Sequence, residues 1–302
     1  MPTPVEVQGG HVFVAIDLGH SHGCALKESG APYCWGLNSL SILGTGTTGN
    51  KNVPEAVVGG HSFVAISVGY MHQCALTKAG DAYCWGFNGN GQVGQGSSGG
   101  AVTSPTIVTG GLKFTSVSAG DLHSCGVTPD GDAYCWGSDR YGQLGNGDET
   151  EDKASPSLVS GGLKFATVSA GIRHSCGVTL AGDAYCWGSG ENGRLGNGST
   201  SGSNAPVPVL GGLMFVSITA GYHHTCGLAV DGKVYCWGLG DNGRLGNDGT
   251  ASKSTPSLVV NVTNFAWMEA PAGTAGSAAT YPARTSFALH TAAKTRGAGV
   301  SA

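Results

Sequence analysis

Charge is scarce in this 302-residue sequence: Asp, Glu, Lys and Arg make up 11% of it, and 15 basic against 19 acidic residues leave a formal net charge of −4. No basic run occurs. A nucleic-acid partner would be held mainly through phosphate neutralisation, so the composition argues against one. An apolar stretch of about 18 residues, the minimum for a membrane-spanning helix, is absent as well. The N-terminal MPTPVEVQGG has neither the basic nor the apolar region of a signal peptide. Missing too are a redox C-x-x-C pair, a P-loop Lys-Ser/Thr and any asymmetric set of acid, base and nucleophile. The sequence therefore points to no enzyme and no cofactor.

Glycine is what the chain has in excess. Its 54 glycines follow no G-X-Y period and signal many tight turns between short strands. A repeat organises them: Phe13, Phe63, Phe114, Phe165, Phe215 and Phe265 stand 50, 51, 51, 50 and 50 residues apart. This divides the chain into the end strand of a preceding unit (1–12) and five repeats, 13–62, 63–113, 114–164, 165–214 and 215–264. The start of a sixth (265–270) and a non-repeat tail (271–302) follow. In the third copy, alternation from Phe114 to Ala119 predicts a first strand that Gly120 ends. Ser124 to Thr128 form a second strand, Pro129-Asp130-Gly131-Asp132 a hairpin turn, and Ala133 to Trp136 a third strand. A fourth strand runs around Thr106 to Val108, started by Pro105. Four short strands per unit, repeated about a centre, predict an all-β propeller of four-stranded blades.

The pieces GxxHxCxL, YCWG, GxxxxGQLGNG and Pro-x-x-V-x-GG resemble the regulator of chromosome condensation repeat, over about residues 4–270. The resemblance implies a seven-bladed β-propeller, of which this chain holds five complete repeats, so an incomplete ring is expected. The cysteine pairs depart from the pattern of family members working in reducing compartments, and secreted bacterial relatives look like the nearer match.

Those pairs are Cys24/Cys34, Cys74/Cys84, Cys125/Cys135, Cys176/Cys186 and Cys226/Cys236. A separation of ten residues across a hairpin turn places the two cysteines opposite one another, within disulfide reach. Five intrablade disulfides are the favoured reading, worth about 3 kcal/mol each in the chain-entropy model. Zinc competes less well, because His-x-Cys with the second Cys offers three ligands and no fourth recurs in register. Free buried thiols are the remaining alternative. His22, His72, His123, His174 and His224 fall on five different blades, which fits a repeated structural hydrogen bond better than a catalytic set. Trp35, Trp85, Trp136, Trp187 and Trp237 are expected to pack between neighbouring blades.

Recognition should use positions where the copies differ. Between the strand-ending glycine and the fixed histidine stand His20-Ser21, Tyr70-Met71, Asp121-Leu122, Ile172-Arg173 and Tyr222-His223. On successive blades these share one face; His20, Tyr70, Met71, Asp121, Ile172, Arg173, Tyr222 and His223 are the candidate binding residues. A second variable set of four residues follows each YCWG, from Leu37-Asn38-Ser39-Leu40 in the first repeat to Leu239-Gly240-Asp241-Asn242 in the fifth. Drift in tolerant loops explains either set equally well. The loops GNGQVGQG (89–96) and GENGRLGNG (190–198) lack the features of a phosphate site, and Asp148, Glu149, Glu151 and Asp152 lack EF-hand spacing. Asn197-Gly198-Ser199 and Asn261-Val262-Thr263 are glycosylation sequons.

The expected function is a non-enzymatic recognition scaffold, secreted, periplasmic or at the cell surface, binding a protein or glycan. The family resemblance offers guanine-nucleotide exchange or chromatin regulation instead, and an inhibitor of a secreted enzyme is a further alternative. PVEVQGG matches PTIVTGG, so the first residues are read as a fourth strand, which either completes the last blade and closes the ring or follows missing upstream sequence, the reading that the lack of a signal peptide favours. Pro271, Thr274, Gly276 and Ser286 replace the repeat's Gly, His and two Cys, which suggests a frame disruption near residue 270 or a disordered tail. An open ring would leave apolar blade faces unpaired and favour self-association.

Overall fold

Local punctuation sets each strand, and the pleat does the rest. A computed structural model describes residues 6–148 and 151–260. The tail, and the expectations that rest on residues 1–5 and 261–302, lie outside the described residues. Five antiparallel sheets form, each of four strands in simple chain order. Blade 1 comprises Ala15–Leu18, His22–Leu26, Pro32–Gly36 and Lys51–Ala56; blade 2, Ala65–Val68, His72–Leu76, Ala82–Phe87 and Ala101–Ile107. Blade 3 comprises Ser116–Ala119, His123–Val127, Ala133–Gly137 and Lys153–Leu158. Blades 4 and 5 follow with Phe165–Ala170, His174–Thr179, Ala184–Gly188 and Ser203–Pro208, then Phe215–Ala220, His224–Ala229, Val234–Gly238 and Lys253–Leu258. First strands of consecutive blades lie against one another and line the centre, so the fourth strands form the outer rim.

One sequence expectation needs correction. Pro105 does not start the fourth strand of its blade, which runs from Ala101 to Ile107 with the proline inside it. Pro54, Pro156, Pro206 and Pro256 are likewise inside outer strands. An outer strand is hydrogen-bonded on one side only, so a residue without an N–H is tolerated there. The third strand also runs one residue further than expected, to Gly137, where its pairing with the fourth slips. Gly137 has φ +103°, and a Cβ there would meet the Leu122 carbonyl oxygen at 2.5 Å. This explains why glycine follows the tryptophan in all five complete repeats.

The core is divided into one cluster per junction between blades. Cys24 and Cys34 pack with Phe63, Ile66, Val68 and Trp85 of blade 2. Cys125 and Cys135 pack with Phe165, Val168, Ala170 and Trp187 of blade 4. The same layout recurs at the junctions of blades 2 with 3 and 4 with 5. Where no neighbour precedes a blade among the described residues, the corresponding surface is open: Ile16 and Leu18 are 52% and 49% exposed, against 1% and 0% for Ile66 and Val68 one repeat later.

Close approach at the centre is secured by Gly19, Gly69, Gly120 and Gly171. A Cβ on Gly120 would lie 2.4 Å from the carbonyl oxygen of Gly171 in the next blade. The substitution Gly120→Ala forces the two first strands apart and is expected to cost about 1–3 kcal/mol. Urea denaturation of the full chain measures this, with a reduced midpoint as the expected outcome.

Candidate functional site

All ten cysteines are paired, as Cys24–Cys34, Cys74–Cys84, Cys125–Cys135, Cys176–Cys186 and Cys226–Cys236, with S–S distances of 2.07–2.12 Å. Their sulfurs are therefore unavailable to zinc, and no group of three or more His, Cys, Asp or Glu suited to a metal occurs among the described residues. Each pair is directly opposed on the second and third strands.

The histidine column joins blades. His72 Nε2 lies 2.8 Å from Ser124 Oγ, His123 Nε2 2.8 Å from Ser175 Oγ, and His174 Nε2 2.9 Å from Thr225 Oγ1. Each hydroxyl donates its only proton back to the preceding blade's loop, to the carbonyls of Gln92, Gln143 and Arg194 at 2.9 Å. The hydroxyl must then accept from the imidazole, which places a proton on Nε2, while burial disfavours the charged ring. The same three carbonyls accept a second bond, from the indole N–H of Trp136, Trp187 and Trp237 at 2.9–3.0 Å. These three tryptophans and Trp85 are fully buried, whereas Trp35 of blade 1 is half-buried.

Blade 2 departs from this pattern. Gln73 stands in place of the hydroxyl residue; its Oε1 meets His22 Nε2 at 2.8 Å, and its amide nitrogen donates to the Ile42 carbonyl. The Trp85 indole N–H is left without a partner among the described residues. A third repeated bond runs between first strands: Asp17 Oδ2, Ser67 Oγ, Ser118 Oγ and Ser169 Oγ accept from the backbone N–H of Val68, Ala119, Ala170 and Ala220 at 2.7–3.0 Å.

The variable residues gather on one face around the central glycines. His20 stacks on Tyr70 with ring centroids 4.5 Å apart, and Tyr222 meets His223 edge-on at 4.3 Å. Arg173 lies over the Tyr141 ring at 4.6 Å. Burial raises the Asp121 carboxyl to about 6, an effect partly opposed by the nearby Arg173 guanidinium and the His20 ring. Met71 is half-buried beside Tyr70. Burial and the nearby Arg194, Arg244 and Arg173 guanidinium groups lower the His223 pKa. Ile172 differs from expectation: at 5% exposure it is an interior residue, because an apolar side chain beside the packed centre gains more by burial than by display.

The two variable sets form one continuous surface, which their separation in sequence hides. The residue after each WG hydrogen-bonds back to the first set, for example Phe87 N–H to Met71 O at 2.8 Å and Ser189 N–H to Arg173 O at 2.7 Å. Part of the second set is internal. Asn38, Asn88 and Asp139 are at most 1% exposed, and their Oδ1 atoms accept from the N–H of Leu43, Val93 and Leu144 at 2.9–3.0 Å. Their alignment, two residues after the glycine of WG in the first three repeats, was the available signal. Sequence reading also missed Arg194, which is wholly buried and pairs with Glu191 at 2.9 Å.

Four-stranded meanders packed first strand to first strand, with one core per junction, define a tandem-repeat β-propeller. The chain belongs to the RCC1-like domain family, which matches residues 1–281. It is 34% identical to the ultraviolet-B receptor UVR8 of Arabidopsis thaliana over 203 residues, covering 65% of this chain and 46% of the receptor. With the human probable E3 ubiquitin-protein ligase HERC4 it shares 34% identity over 192 residues, 62% of this chain and 13% of the ligase. The chain thus spans under half of these relatives. Among solved structures, human WBSCR16 superposes with TM-score 0.75 at 22% identity, covering 86% of this chain and 71% of that one. The ectodomain of the Physcomitrella patens receptor kinase CR4 gives TM-score 0.50 at 26% identity, covering 75% and 52%.

Burial lowers the junction histidines: His72 and His123 to about 3, His22 and His224 to about 4, and His174 well below 6.5. Between those values and 6.5 the unfolded chain binds more protons than the folded one, so stability falls as pH drops through that window. Asp121 and Asp139, raised to about 6, act in the opposite sense and offset part of the effect. Urea midpoints measured from pH 7 down to pH 4 should decrease steadily. Ser175→Ala, which strands the His123 N–H and leaves the Gln143 carbonyl only its Trp187 bond, should cost about 1–3 kcal/mol at neutral pH by the same measurement.

Proposed function

We propose that this chain is a non-enzymatic recognition scaffold of an oxidising compartment, secreted, periplasmic or at the cell surface, which binds a protein or glycan ligand through its central face. The observation that carries this reading is the gathering of His20, Tyr70, Asp121, Arg173 and Tyr222 on a face whose supporting columns are buried and hydrogen-bonded. Aromatic and arginine side chains held by stacking are pre-ordered and lose little freedom on binding. Five disulfides support the compartment, since thiols stay reduced in the cytosol. The CR4 relative, an ectodomain, supports it as well. No helix among the described residues is long and apolar enough to cross a membrane.

A regulatory reading has one specific observation behind it. Prp20p of Saccharomyces cerevisiae, whose structure was reported with its binding to Gsp1p and histones, superposes with TM-score 0.71 at 22% identity. That likeness concerns the fold, and the disulfides favour the extracellular reading over it.

The test begins with the protein from its native source. Non-reducing mass spectrometry should find the ten cysteines oxidised in the pairs given above. Surface or secreted ligands recovered on the immobilised chain are then measured against Tyr70→Ala and Arg173→Ala, with Thr106→Ala on the rim as control. Each central substitution should weaken binding by at least about tenfold, the scale of an interface hot spot. Binding that survives both central changes, or native protein with free thiols, overturns the reading.

A further inference from the structure

We infer that Asn197 is an N-glycan acceptor: it carries the sequon Asn197-Gly198-Ser199 at the one repeat position where the fold leaves the asparagine amide nitrogen free and partly exposed. Three copies of one loop differ in the surroundings of this asparagine. Asn146 in blade 3 and Asn247 in blade 5 occupy the same place, and their Nδ2 atoms donate to Ser157 and Ser257 Oγ on the fourth strand, at 3.4 and 2.9 Å. Blade 4 has Val207 where those serines stand, so Asn197 Nδ2 has no acceptor there. The side chain is nevertheless fixed, since Asn197 Oδ1 accepts from Ser199 N–H at 3.1 Å. Neither of the other two copies is a sequon, because Asp148 and Gly249 occupy the hydroxyl position. The free amide and the hydroxyl residue thus coincide in one repeat.

The loop is also well placed for a bulky sugar. Gly198 N–H bonds to the Ser254 carbonyl of blade 5's outer strand at 2.8 Å, which puts Asn197 on the rim. A sugar there leaves the central face clear. The transfer is balanced with one co-reactant, a lipid-pyrophosphate-linked oligosaccharide. Nδ2 forms a bond to C1 of the first sugar, the C1–oxygen bond to pyrophosphate breaks, the lipid pyrophosphate leaves, and a base of the transferase takes the amide proton. The co-reactant belongs to compartments on the secretory route, so the inference rests on the proposed location, while its test does not.

The full 302-residue chain is directed through the secretory pathway of a cultured eukaryotic cell. Glycosidase release in heavy-oxygen water then marks each asparagine that carried sugar, and peptide mapping reads the mark. Asn197 should be marked in most secreted molecules, and both Asn197→Gln and Ser199→Ala should abolish the mark. Asp148→Ser builds the same triplet at Asn146, whose amide is already engaged; occupancy there should be at least tenfold lower than at Asn197. A bare Asn197 overturns the inference, and so does an Asn146 filled as fully as Asn197. Free thiols in the native protein would overturn the compartment alone.

Discussion

Two hydrogen bonds converging on one backbone carbonyl hold each regular junction together. The oxygen of Gln92, Gln143 or Arg194 accepts from a tryptophan indole and from a serine or threonine hydroxyl of the following blade. That double acceptance positions the tryptophan over a loop glycine, where any larger residue would collide with its ring: a Cβ on Gly145 would sit 2.6 Å from Trp187. It also orients the hydroxyl toward the histidine and so sets the tautomer. Loop conformation, aromatic packing and histidine charge state are therefore one problem with one solution, used again at successive junctions. The disulfide beneath lies against the same hydroxyl, with Cys125 Sγ 3.7 Å from Ser175 Oγ.

Such a molecule is coupled mainly to its nearest neighbours. The first junction is the variant. Gln73 occupies the carbonyl that the tryptophan would otherwise use, and Asp17 replaces the serine that accepts between first strands. Both changes keep a side-chain bond at the same places while altering its chemistry, and the indole bond to the loop carbonyl is the one lost.

Much of this architecture is legible in the sequence because it depends on periods of two residues and of fifty. Alternation marks the strands, the hairpin turn brings Cys125 opposite Cys135, and the phenylalanine spacing counts the blades. What stayed hidden depends on a neighbour about fifty residues away. Ile172 reads as a variable surface residue until the packed centre buries it, and Asn88 reads as loop drift until its bond to Val93 is seen. The union of the two variable surfaces escaped notice for the same reason: Arg173 and Tyr141 belong to different blades and meet only when those blades pack. Asp121 was visible as a candidate binding residue; that burial would raise its carboxyl to about 6 was not.

The prolines of the outer strands have a consequence for how the molecule behaves in a crowd. A repeat propeller exposes one strand edge per blade, and each such edge is a template onto which another chain could add a strand. Here all five edges carry a proline, at positions 54, 105, 156, 206 and 256. A proline offers no N–H to an incoming strand, and its ring obstructs close approach. The rim is thereby made a poor seed for intermolecular sheet growth, so any association through strand addition would have to begin elsewhere on the molecule.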